Sequence, residues 1–178
     1  MKPIYYAGIG SRETPQEILN YFTVLGRYFA QLEFVLRSGG AQGADKAFEN
    51  GSDLIEGCKE IYLPWKGFEG SKSPYYQDRP EAREIAATYH PAWERLSEGA
   101  KKLQTRNVHQ ILGWELDTPS NFVICWTKKG KGTGGTGQAI RIANAYNIPV
   151  FDFGKYKELD TAKQELKKLL LELRLIEL

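Results

Sequence analysis

At 178 residues the chain is long enough for one well-buried core and short for two domains. Hydrophobic residues make up 42% and charged residues 26%, which excludes extended disorder, and a net charge of +2 is too small to imply nucleic acid by itself. No signal peptide is legible and no apolar run approaches the ~18 residues of a membrane span, so a cytosolic protein without a membrane partner is expected.

In chain order, residues 3–9 read as a short buried strand entering Gly8-Ile9-Gly10-Ser11-Arg12. Pro15 opens a helix, where its missing N–H is harmless, and Ile18, Phe22, Leu25 and Phe29 give that helix one apolar face ending near Gln31. Phe34-Val35-Leu36 is a second strand, stopping at Ser38-Gly39-Gly40-Ala41-Gln42-Gly43-Ala44-Asp45. A short helix to about Asn50 and a third strand over residues 60–64 follow. Residues 65–79 read as an exposed loop, residues 80–89 and 91–112 as two helices with Pro91 starting the second. Residues 121–126 form an apolar strand leading into a glycine-rich stretch over 128–137, then a helix from about Gln138 to Tyr146 and a fifth strand over 148–153. The stretch 160–178, which places a final helix at about 158–177, carries Leu166, Leu169, Leu170, Leu173 and Ile176 on a broad apolar face. That face is expected to pack on the parent sheet, with a homodimer contact as the alternative.

Strand, glycine loop, helix and strand in repetition predict a single Rossmann-like α/β domain over residues 1–178. About five parallel strands with helices on both faces are expected, and such sheets bind ligands outside the carboxyl ends of their strands. Three glycine-rich segments fall at that edge, each preceding a helix. Each can aim backbone N–H groups and the positive end of a helix dipole at an anion, so phosphate is the expected ligand group. Ser11 adds a hydroxyl and Arg12 a guanidinium fork suited to phosphate oxygens; Ser38, Thr133 and Thr136 add further hydroxyls. Arg37, Lys128, Lys129 and Lys131 supply positive charge nearby, and Asp45 caps or braces the second loop. Tyr62 and Trp65 are candidates for stacking on a base. Cys58 and Cys125 lack metal-ligand spacing and are expected as buried free thiols. His90 reads as a helix-start residue and His109 as a surface or pocket residue, with no metal site and no cofactor.

The glycine segments, together with Arg106-Asn107 before Ile111 and Gly134-Gly135-Thr136 at the last loop, resemble in their order the DNA-processing protein A (Smf) family. That family sits in a larger Rossmann-like group with the lysine-decarboxylase-like phosphoribohydrolases. The resemblance spans residues 4–153, and its compact form is similar to stand-alone members in phage genomes. It implies a pocket of Gly10, Ser11, Arg12, Ser38, Gly39, Gly40, Gly43, Asp45, Arg106, Asn107, Gly134, Gly135 and Thr136, receiving single-stranded DNA phosphate or a nucleotide. Gln42 stands where the family commonly has Arg, which removes one phosphate-binding charge. In the phosphoribohydrolases a related glycine signature ends in a catalytic Glu; aligning the glycines puts Gln138 and Arg141 at the Thr and Glu positions. Glu115 and Asp117 are the remaining carboxylates in view. A non-catalytic binding module is therefore expected, with a nucleoside-monophosphate N-glycosidase and a sensor or sequestering protein for a signalling nucleotide as alternatives.

Overall fold

The computed structural model describes residues 2–177. Its strands are β1 (Tyr5–Gly8), β2 (Val35–Ser38), β3 (Lys59–Ile61), β4 (Phe122–Cys125) and β5 (Val150–Asp152). All pair in parallel, in the order β3-β2-β1-β4-β5. Helices α1 (Gln16–Gln31) and α2 (Ala44–Asp53) make the first two crossovers. Helices α3 (Pro80–Tyr89) and α4 (Glu98–Leu112) lie between β3 and β4, α5 (Gly134–Ala145) between β4 and β5, and α6 (Leu159–Glu172) follows β5.

Alternation along the strands decides which residue meets which helix layer. Tyr6, Phe122 and Ile124 share one core with Phe22 and Phe29 of α1, Phe48 of α2, and Leu166 and Leu170 of α6. Their neighbours Ala7, Val123 and Cys125 share the other with Ala86 of α3, Val108 and Ile111 of α4, and Ala139 and Ile142 of α5. The molecule is thus a Rossmann-like α/β fold with both faces of the sheet covered. Helices α1 and α2 approach closely: a Cβ at Gly51 would collide with the carbonyl of Thr23, and one at Gly26 with that of Phe48.

Several boundaries differ from the sequence expectation. Pro15 is the residue before α1, not its first helical residue. α4 does not start at Pro91; Trp93–Arg95 forms a separate 3-10 turn, and the helix begins where the Ala100 N–H donates to Ser97 Oγ at 3.2 Å. A side-chain cap satisfies an orphan N–H, which a permissive proline does not. α5 starts at Gly134, ahead of Gln138, because its first turn is built from low-propensity glycines that conceal it. Cys58 is exposed in the turn before β3, while Cys125 is buried. α6 packs on the parent sheet through Ala162, Leu166 and Leu170, and Leu173 and Ile176 continue that contact beyond the helix end. The expected terminus of that segment, residue 178, lies outside the described residues. Among the described residues no helix is long and apolar enough to cross a membrane.

Candidate functional site

The chain leaves β3 at one edge and returns to β4 on the far side of β1, so the topological switch point falls between β1 and β4. There the crossover helices leave on opposite faces and open a crevice at the strands' carboxyl ends. A cavity of about 470 Å³ lies at that point. Residues 9–12 after β1, residues 133–136 at the start of α5, and Leu103, Gln104, Arg106, Asn107 and Gln110 of α4 line it, with Ala41 and Asp45.

In the first loop, the Ser11 N–H donates to the Trp126 carbonyl at 3.3 Å and ties the loop to the end of β4. The Ser11 hydroxyl accepts from the Glu13 N–H at 3.0 Å, which leaves its own proton available to a ligand. Arg12 extends towards the rim, where its Nη2 donates to Glu69 at 3.3 Å.

The second loop does a different job from the one expected. Ser38 is fully buried and its Oγ donates to the Gly8 carbonyl at 2.6 Å, joining β2 to β1. A Cβ at Gly39 would strike the Arg106 guanidinium and the Gln110 amide; at Gly40 it would touch Leu63; at Gly43 it would approach the Arg12 backbone. None of these four residues lines the cavity. Pattern alone cannot separate a glycine that admits a ligand from one that admits the protein's own side chain. Asp45 braces this loop by accepting from the Ala41 N–H at 3.3 Å. Burial pushes its carboxyl up to about 6, against the opposing pull of Arg106.

α4 supplies the polar wall. Arg106 donates through Nε to Asn107 Oδ1 at 2.9 Å and through Nη1 to the Gly39 carbonyl, while its Nη2 meets no acceptor among the described residues. Burial lowers its pKa from the usual guanidinium value, and Asp45 offsets part of that. Asn107 Nδ2 donates to Gln104 Oε1 at 3.2 Å and to the Gly135 carbonyl at 3.0 Å, docking the third loop on the helix. Gln110 is 2% exposed and faces the cavity, its amide unpartnered among the described residues. Gln104 and Gln110 were not picked out from the sequence; their spacing of three on either side of Asn107 was the available signal.

The third loop ends in the uncapped N-terminus of α5, with no side-chain cap at Thr133 and no acidic residue in the first turn. The first N–H groups of a helix have no intrahelical partner, so those of residues 134–136 are donors at the cavity. Gly134 has φ +72, which a Cβ would strain. At Gly135 a Cβ would meet only Asn107 Nδ2 at 3.9 Å and Gln104 Nε2 at 4.0 Å, so the protein's own packing does not demand glycine there. Asp152 fixes the loop from below: Oδ1 accepts from the Thr127 N–H at 2.9 Å and the Gly154 N–H at 2.8 Å, and Oδ2 from the Thr127 hydroxyl.

Other candidates fall elsewhere. Arg37 is buried under the Tyr5 ring, 3.9 Å away, and donates to Glu60 at 3.0 Å, so it supplies no charge to the cavity. Tyr62 is 1% exposed, stacked at 6.1 Å on Trp114 with its hydroxyl on Glu60, and offers no face to a base. Trp65 is 41% exposed and rests against Phe68, whose ring lies 5.7 Å from the Arg106 guanidinium. Lys129 and Lys131 are exposed, and Lys128 lies 3.9 Å from Glu13. Gln138 donates to the Ala86 carbonyl at 2.8 Å and Arg141 to the Tyr89 carbonyl at 3.0 Å, stapling α5 to α3. Glu115 and Asp117 sit in the connection entering β4 at its amino end, opposite the cavity, with Glu115 paired to Arg79 at 3.3 Å. His90 closes the end of α3, where its Nδ1 accepts from the Ala92 N–H at 3.1 Å, and does not start a helix. His109 is 2% exposed, inside the fold. Among the described residues no cluster of His, Cys, Asp or Glu is arranged to hold a metal.

No family model and no curated protein sequence matches the chain. Solved structures do match. The fold superposes on DNA processing protein A from Helicobacter pylori, known for its single-stranded DNA binding mode, with a TM-score of 0.58 and 19% identity, over 96% of this chain and 81% of that one. It also superposes on the Moco carrier protein of Chlamydomonas rheinhardtii with a TM-score of 0.54 and 17% identity, over 97% of this chain and 87% of that one. At these identities the likeness is one of fold.

Proposed function

We propose that this chain is a binding module for the phosphate of a nucleotide, which it holds without turnover. The observation that carries this reading is the meeting, in one cavity, of the uncapped N-terminus of α5 with Arg12 and the unpartnered Nη2 of Arg106. Oriented N–H groups and a guanidinium fork together suit the oxygens of a phosphate. Exposed Trp65 offers a ring to the attached base, a contact of about 1–3 kcal/mol. The reading without turnover rests on the place of the carboxylate that lines the cavity: Asp45 braces the second loop, one of its oxygens accepting from the Ala41 N–H. A second reading, in which the phosphate belongs to single-stranded nucleic acid, is favoured by the likeness to the Helicobacter pylori protein.

Gly135→Ala tests the site. Its Cβ enters space that the protein leaves open, so the melting temperature should hold or rise slightly, because alanine reduces unfolded-chain entropy. Affinity for adenosine 5′-monophosphate and for a labelled single-stranded oligonucleotide, followed by fluorescence anisotropy and competition, should fall by about tenfold if the Cβ displaces the phosphate from the N–H donors. A folded variant that binds both probes as the wild type does would sink the reading.

A further inference from the structure

The cavity at the switch point has an open mouth and a closed floor. Residues 133–135 and Arg12 stand exposed at the mouth, where the α5 N–H groups are offered. The lining by Ile9, Ala41, Asp45, Arg106 and Gln110 is buried. Gln110 is 2% exposed there, and neither its amide oxygen nor its amide nitrogen meets a protein partner among the described residues. Buried polar side chains are as a rule hydrogen-bonded, so an amide left free on a cavity wall points to a ligand. α4 sets its place: Gln110 lies one helical turn beyond both Asn107, which docks Gly135, and Arg106, which meets Phe68. Gly39 makes the room, since a Cβ there would strike the Arg106 guanidinium and the Gln110 amide. The amide is thus within a turn of the phosphate loop and of Phe68, on which Trp65 rests.

We infer that Gln110 reads the vicinal hydroxyls of a ribose, and that the site takes a ribonucleotide in preference to its 2′-deoxy counterpart. This rests on the phosphate-binding reading above. With the phosphate on the α5 N–H groups and the base on Trp65, the part of a nucleotide left for the floor is the sugar that joins them. A primary amide carries an acceptor oxygen and two N–H donors, and a hydroxyl both donates and accepts. Two adjacent hydroxyls can therefore satisfy both ends of the amide at once, one donating to Oε1 and the other accepting from Nε2. Asp45, on the same lining, repels an anion but can accept from a hydroxyl, which sets the floor apart from the mouth. A 2′-deoxyribose lacks one of the pair, so one end of the amide stays unpaired under the bound sugar. Leaving a buried polar group of the site unpaired is what lets a protein reject an analogue that lacks a hydroxyl.

The test compares adenosine 5′-monophosphate with its 2′-deoxy and 3′-deoxy analogues by isothermal titration, in the wild type and in Gln110→Met. Methionine keeps the length and removes the amide, and a thermal melt checks that the variant stays folded. If it does not, Gln110→Asn, which draws the amide back by one methylene, takes its place. The wild type should bind the ribonucleotide about five- to tenfold tighter than either deoxy analogue. In the variant that preference should narrow to within about twofold, through loss of affinity for the ribonucleotide. Like affinity of the wild type for all three, the same preference in both proteins, or an equal loss of all three in the folded variant would overturn the role of Gln110 and leave the phosphate site standing. Failure of all three to bind the wild type would remove the phosphate site itself, and the inference with it.

Discussion

Tyr6 carries a hydroxyl into the aromatic layer beneath the sheet, where no protein group among the described residues meets it. Its ring is fully buried, tilted on Phe29 at 4.7 Å and stacked on Phe122 at 5.7 Å. Burial drives the phenol's pKa upward, so the group stays neutral, yet an unpaired buried hydroxyl still costs about 1–3 kcal/mol. Tyr6→Phe keeps the ring contacts and removes the cost. Its urea midpoint should rise, corresponding to roughly 1–2 kcal/mol of added stability; a lower midpoint would mean that the hydroxyl finds a partner in solution. Residues such as this set the limit of what a sequence discloses. Tyr6 was legible as core from the apolar run around it, but its orphaned oxygen was not, because partners are decided by three elements distant in the chain. Ser38 makes the same point in reverse: a hydroxyl between glycines looks like a ligand donor until the Gly8 carbonyl is found beside it.

Among the elements, α1 was the most legible, since a single apolar stripe at helical spacing both makes the helix and buries it. α4 was the least. Its last two turns bury Thr105, Arg106, Asn107, His109 and Gln110, polar residues that a periodicity argument assigns to solvent. Arg106, Asn107 and Gln110 are inside because they face the cavity and the loops they hold, whereas His109 packs against the rings of Trp114 and Tyr62. His109 shows the energetic consequence. At a helix C-terminus a cationic His would normally be favoured by the dipole. Here burial wins and holds its pKa down to about 4. The neutral ring donates from Nδ1 to the Gly113 carbonyl at 3.1 Å, and a second proton would sit on a buried Nε2 with no partner. A base with a folded pKa below its unfolded value binds fewer protons when folded, so stability is lost as pH falls from about 6.5 towards 4. Asp45, raised to about 6, works in the opposite sense, gaining stability as pH falls from about 6 towards 4. The two partly cancel in the wild type. In His109→Gln only the gain from Asp45 remains, so urea unfolding between pH 6.5 and 4.5 should lose about 2 kcal/mol less than in the wild type. Parallel pH profiles for the two proteins would show that His109 protonates in place.

At the scale of the whole molecule, the five-strand α/β plan was readable from the rhythm of strand and glycine loop, whereas the strand order was not, because no local pattern encodes where the chain crosses the sheet. That crossing is what creates the crevice, so the cavity became visible only with the fold. Charge then constrains the ligand. The chain carries 24 basic and 22 acidic residues, a balance that leaves little long-range pull on a polyanion. Arg12 and Arg106 line the cavity with one carboxylate, Asp45, while Glu69 pairs with the exposed end of Arg12. A protein that tracks a strand across several phosphates releases a counterion at each, with a slope of about −0.7 per phosphate in log affinity against log salt. One phosphate seated at the N-terminus of α5, with Glu69 displaced from Arg12, should instead give a slope on the order of −1 for a single-stranded oligonucleotide. Measured from 50 to 300 mM salt, roughly the range in which counterion release is resolved, such a shallow slope would agree with capture of a single phosphate group. A slope steeper than about −3 would require four or more phosphates on the protein. The ligand would then be a strand laid over the exposed lysines of the third loop, Lys129 and Lys131, and not a single phosphate in the crevice.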